Sequence, residues 1–142
     1  MPSKPPGCGS ELMTEDMESA VEKLRGTFDA ANRGDLESAA EWVDQDVKIG
    51  RNPFMDPPAP GKEGLLEFMR PKMFERQTTQ LLATEVHGNV ILAELIFNAV
   101  GKGSGVEVSQ RNFQLFTVRD GMFVKWEVFF DRKEAEAAAA AG

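Results

Sequence analysis

The spacing of apolar positions changes near residue 78, from a helical period to an alternating one. In the first part Met17, Val21, Leu24 and Phe28 recur every three or four residues, which lines them along one side of a helix. Glu15 and Asp16 suit its first turn, where the backbone dipole favours negative charge. Asn32-Arg33-Gly34 ends it, with Gly34 as the left-handed cap. Asp35 caps a second, short helix that buries Leu36, Ala39, Ala40 and Val43. Gln45 to Gly50 reads as a short strand with Val47 and Ile49 on one face. Arg51 to Pro60 holds four prolines, which excludes regular structure. Gly61 to Met69 resumes as a helix, with Leu65, Leu66, Phe68 and Met69 on or beside its packed side and Pro71 as its stop.

The second part predicts strands over Thr78–Val86, Val90–Val100, Val106–Val118 and Met122–Phe130. They are joined by His87-Gly88-Asn89, by the run GKGSG from Gly101, and by Arg119-Asp120-Gly121, whose Asp-Gly pair is a strong hairpin signal. This order predicts an α+β cone: a strongly curved antiparallel sheet wrapped around three N-terminal helices. The alternating β and α units of a parallel doubly wound sheet are absent. Ile96, Leu115 and Phe129 fall on the outer face of the sheet, where a homodimer would cover them. Residues 1–10, rich in Pro and Gly, are expected to be a disordered leader, residues 11–132 the domain, and residues 133–142 an alanine-rich tail that frays because it has little to bury.

A chain of 142 residues accommodates one ordinary domain with a core of its own. Acidic residues outnumber basic ones by 23 to 16, and no basic cluster offsets the net charge of −7, so a nucleic-acid partner is not expected. No apolar run is long enough for a helical membrane span, and Met1 to Ser10 has no hydrophobic segment behind it, so a cytoplasmic protein is expected. Cys8 and His87 are the sole cysteine and histidine. That rules out an internal disulfide framework, a cysteine metal site and a histidine pair within one chain, and no metal or cofactor is expected. A site built from carboxylates alone remains open.

Three segments carry a family likeness. Phe28-Asp29-Ala30-Ala31-Asn32-Arg33-Gly34-Asp35-Leu36 resembles the first-helix ending of the nuclear-transport-factor-2-like superfamily, and Gly61-Lys62-Glu63-Gly64 resembles its step into the third helix. Asp120 to Asp131 (DGMFVKWEVFFD) resembles the final hairpin of its SnoaL-like and limonene-epoxide-hydrolase-like branches. The resemblance implies the cone fold but no single chemistry, because that fold hosts hydrolases, isomerases, cyclases and binding modules. By the same resemblance the epoxide hydrolase carboxylates and arginine fall on Val128, Leu95 and Phe97, and its tyrosine and asparagine on Gly50 and Asn52, so only the asparagine is kept. Leu95, Phe97 and Val128 can neither activate water nor protonate a leaving oxygen. Ketosteroid isomerases resemble the chain in fold, but their tyrosine, base and buried acid match Thr27, Arg51 and Gln114, and the chain has no tyrosine. SnoaL-like cyclases use a His–Asp arrangement, for which His87, read as a turn residue, is the one histidine.

Strand alternation predicts the interior. Trp126, Val128 and Phe130 share one face, Asn112, Gln114 and Phe116 face it from the preceding strand, and Leu95 and Phe97 from the strand before. Phe28 and Trp42 come from the helices, and Phe54 or Met55 from the Pro-rich loop. The result is an apolar pocket with the neutral amides of Asn52, Asn112 and Gln114, suited to a small hydrophobic or polycyclic molecule. Alternatively the large side chains simply fill a core, with the amides bonded to backbone. Asp56 and His87 are the catalytic candidates, while Glu94 and Arg111 alternate outward. An enzyme, a silent binding module and a structural dimer therefore all remain open, and the enzyme requires an acid or base in the pocket.

Overall fold

The computed structural model describes residues 8–50, 61–69 and 74–141. The elements run α1 (Cys8–Asn32), α2 (Leu36–Ala39), β1 (Val43–Ile49), α3 (Gly61–Met69), β2 (Phe74–His87), β3 (Val90–Gly101), β4 (Glu107–Arg119), β5 (Met122–Phe129) and α4 (Arg132–Ala141). The expected stripe on α1 is buried, with Met17, Ala20 and Leu24 in the core and Val21 and Phe28 packed against it. The helix begins at Cys8, three residues before Glu11. It ends in a Schellman motif: Asp35 N–H donates to Ala30 O at 2.9 Å and Gly34 N–H to Ala31 O at 3.0 Å, with Gly34 at φ 82°. Asp35 then caps α2 by accepting from Ser38 N–H at 3.2 Å.

The sheet has the order β1-β5-β4-β3-β2. β2 to β5 are antiparallel neighbours, whereas β1 pairs with β5 in parallel. The four long strands are antiparallel as expected, and the short strand β1, whose neighbour the sequence left open, lies parallel to β5 because the Pro-rich loop, α3 and three strands intervene before the chain returns alongside it. Between β4 and β5, Asp120 and Gly121 take φ 52° and 76°, the two left-handed positions of a type I′ turn. Lys23 Nζ reaches from α1 to donate to Gly121 O at 3.1 Å, and lies 4.1 Å from the centre of the Trp42 ring. None of the described helices is long and apolar enough to cross a membrane.

Two apolar layers result. Helices α1 and α3 pack with the inner face of the sheet. On the outer face, Val90, Leu92, Phe113, Leu115 and Phe129 form a second cluster with Ala135 and Ala139 of α4. The expected fraying of the alanine-rich end is corrected here: Ala135 is 0% exposed and Ala139 2%. Alanine has no bulk to hold the helix away, so α4 lies directly on the aromatic and branched side chains beneath it. Arg132 anchors its first turn, 2.6 Å from Glu94, over the Phe113 ring, and 3.7 Å from Glu85. Leu115 and Phe129, which the sequence leaves to a partner copy, are thus covered within one chain.

Candidate functional site

Register assigns side chains to the two faces of the sheet, because directly opposed residues share a face. Three inner rows follow: Leu81, Leu95 and Asn112; Thr84, Ala93, Gln114 and Val128; Val86, Ile91, Phe116 and Trp126. None of these side chains is ionisable. Leu95 and Val128 are fully buried, and Phe28 from α1 meets Phe116 edge-on with ring centres 6.1 Å apart. Phe97 is half-buried and Phe130, just beyond β5, is 44% exposed. Asn52, Phe54, Met55 and Asp56 lie outside the described residues.

The polar content of this face forms one connected line. Trp126 Nε1 donates to Gln114 Oε1 at 2.9 Å, and Gln114 Nε2 donates to Asn112 Oδ1 at 3.0 Å. Asn112 is 2% exposed, Trp126 6% and Gln114 9%. Among the described residues, nothing accepts from Asn112 Nδ2. This donor is the open end of the line, and it is distinct from the fully enclosed unpaired atoms of the described residues, Thr27 Oγ1 and His87 Nε2.

His87 sits elsewhere, and a single residue decides it. Leu81 opposes Leu95 while Ala83 opposes Glu94, so Leu82 bulges out of the ladder. Uninterrupted alternation from Leu81 would carry Ala83, Glu85 and His87 inward. The extra residue turns them all outward. Glu85 accordingly meets Arg132, and His87, opposed to Val90 of the outer cluster, ends β2 rather than lying in the turn. Its Nε2 is buried without a hydrogen-bond partner. Glu94 and Arg111 pair at 2.8 Å, and Glu127 and Lys125 at 3.7 Å, both on the outer face as alternation requires.

A concavity of about 420 Å³ lies between α1 and α2. Trp42 belongs to it, with Lys23, Glu41 and Arg33, and so does Thr27, whose Oγ1 is buried and unpaired. The sequence gives no sign of this groove, since its residues fall on two helices and the two turns that follow them, with no shared period. Among the described residues, no cluster of three His, Cys, Asp or Glu is placed to hold a metal ion.

A family model described as a SnoaL-like domain matches residues 24–126. The chain belongs to the SnoaL-like domain family. Solved structures share its fold. An NTF2-like protein of unknown function from Burkholderia pseudomallei superposes with a TM-score of 0.69 at 18% identity, over 82% of this chain and 93% of its own. IdmH, a provisionally assigned polyketide cyclase from Streptomyces antibioticus, gives 0.68 at 20%, over 87% and 99%. TerC, co-crystallised with polyporic acid, gives 0.68 at 16%, over 87% and 99%. No curated protein matches the chain. Within this SnoaL-like domain, the three inner rows and their amide line are the candidate site.

Proposed function

We propose that this SnoaL-like domain binds a small hydrophobic or polycyclic molecule between the inner face of the sheet and its helices. The observation that carries the reading is the Trp126–Gln114–Asn112 line, buried in an otherwise apolar surface and ending in an unused donor. A donor left open beside apolar side chains is placed to meet an acceptor that a ligand brings. Epoxide opening is not favoured: Leu95, Phe97 and Val128 stand where the limonene-epoxide-hydrolase likeness would need an arginine and carboxylates. With His87 on the outer face, binding without a proton-transferring pair fits the inner rows better than acid–base catalysis. Asp56, in the Pro-rich loop, is the carboxylate whose entry into the pocket would restore a catalytic reading. The fold shared with IdmH and TerC supports a ring-bearing ligand.

The two tryptophans supply the test. Trp42 lines the helix groove and Trp126 the inner face, so their indole N–H signals, assigned with Trp42→Phe, report separately on the two places. Titration of the neutral probe N-phenyl-1-naphthylamine is expected to move the Trp126 signal and leave that of Trp42 in place. Movement of Trp42 alone, or of neither, overturns the proposal.

A further inference from the structure

The line of amides has a direction, and chemistry sets it. An indole nitrogen carries a hydrogen and can only donate. The atom of Gln114 facing Trp126 at 2.9 Å is therefore its oxygen, which turns Gln114 Nε2 toward Asn112. A donor at 3.0 Å requires an acceptor, so Asn112 turns Oδ1 toward Gln114 and its NH2 away. Flipping either amide places two donors or two acceptors against each other. Asn112 opposes Leu95 at the end of its row, next to Phe97 and Gln110 and short of any β5 partner, since β5 stops at Phe129. We infer that Trp126 acts through Gln114 as a positioning residue that fixes Asn112 as a donor, making the inner face selective for ligands that bring an oxygen acceptor, such as a ketone or quinone carbonyl, over isosteric ligands that bring a donor or neither.

This rests on the pocket reading above and adds polarity to it. A reversed line presents Asn112 Oδ1 and selects the opposite ligands, so the direction of the amides, not their presence, is the specificity element. Gln114→Glu provides the reversal. A carboxylate only accepts, so it takes the Trp126 N–H on one oxygen and forces Asn112 to donate to the other, turning Oδ1 toward the ligand.

Three planar tricyclic compounds of nearly one shape probe the position: fluorenone carries a carbonyl, carbazole an N–H and fluorene neither. By calorimetry the unaltered chain is expected to bind fluorenone about tenfold more tightly than fluorene, the worth of one buried hydrogen bond, with carbazole no tighter than fluorene. In Gln114→Glu, above the titration of the new carboxyl, the order of fluorenone and carbazole is expected to invert. A measurement on the free, unaltered chain stands beside these: the Gln114 Hε2 protons should show only a weak nuclear Overhauser effect to Trp126 Hε1, since the carbonyl oxygen faces the indole. Equal affinity for fluorenone and fluorene, or a strong effect between those protons, overturns the inferred direction while leaving the pocket. Failure of all three compounds to bind overturns the pocket and the selectivity with it, and the proton contact still decides the direction of the amides.

Discussion

Replacing Trp126 by phenylalanine keeps an aromatic ring on β5 but removes the one hydrogen that orients the amides. Two losses follow. Gln114 Oε1 is left buried with no donor, a cost of about 1–3 kcal/mol. The phenyl ring also leaves part of the indole volume empty against Phe116, which opposes Trp126 across the ladder; a partial truncation of this size costs roughly 1–2 kcal/mol. The single variant is therefore expected to lose about 2–5 kcal/mol, a large share of the stability of a domain this size. The hydrogen bond is isolated by a double-mutant cycle with Gln114→Leu, read by urea denaturation. Gln114→Leu strands Asn112 Oδ1 whether or not Trp126 is present, so that term cancels in the cycle. The lost ring volume appears with and without Gln114, so it cancels as well. The remaining coupling is the Trp126–Gln114 contact itself, expected at about 1–2 kcal/mol. Additive losses, with coupling within a few tenths of zero, would refute the claim that this bond orders the inner face.

Three further outcomes follow from the same structure. Gly121→Ala puts a side chain at φ 76° in the type I′ turn and is expected to cost about 1–2 kcal/mol in chemical denaturation, with little change at Gly26, which has an open helical site. The Asp35 carboxyl is held below its ordinary 3.8 by hydrogen bonds from the Ser38 side chain and then the Ser38 N–H, so its cap stabilises α2 above the ordinary value and is lost as pH falls through the depressed one; Ser38→Ala should move the NMR-detected titration back up. With α4 over Leu115 and Phe129, a homodimer through that face requires α4 to lift away, so the full chain is expected to sediment at 15.6 kDa and Ala139→Glu to shift it toward twice that mass; a dimer in the unaltered chain would show that α4 is not the cover.

The helices and hairpins were legible because each is signalled locally. Gly34 after a periodic stripe, four prolines in ten residues and Asp120-Gly121 between alternating runs each carry their conformation in their own chemistry. The inner face was legible through alternation on β3, β4 and β5, where no register shift falls among Leu95, Asn112, Gln114 and Val128. The position of His87 was not, because it depends on the bulge at Leu82, and a bulge inside a run of Leu, Ala and Thr has no local signature. The docking of α4 was hidden for a different reason. A run of alanines signals helix without saying what it touches, and the packing becomes visible only when Arg132 is seen between Glu94 and the Phe113 ring. The parallel pairing of β1 likewise depends on where β5 lies after the intervening strands.

The most direct measurement is a crystal structure of the unaltered chain grown with fluorenone. The account predicts the tricycle against Leu95 and Val128, with its carbonyl oxygen about 3 Å from Asn112 Nδ2 and the Trp126–Gln114–Asn112 line unbroken. A fluorenone seated in the groove beside Lys23 and Trp42, or an Asn112 amide turned so that its oxygen meets the ligand, would contradict it.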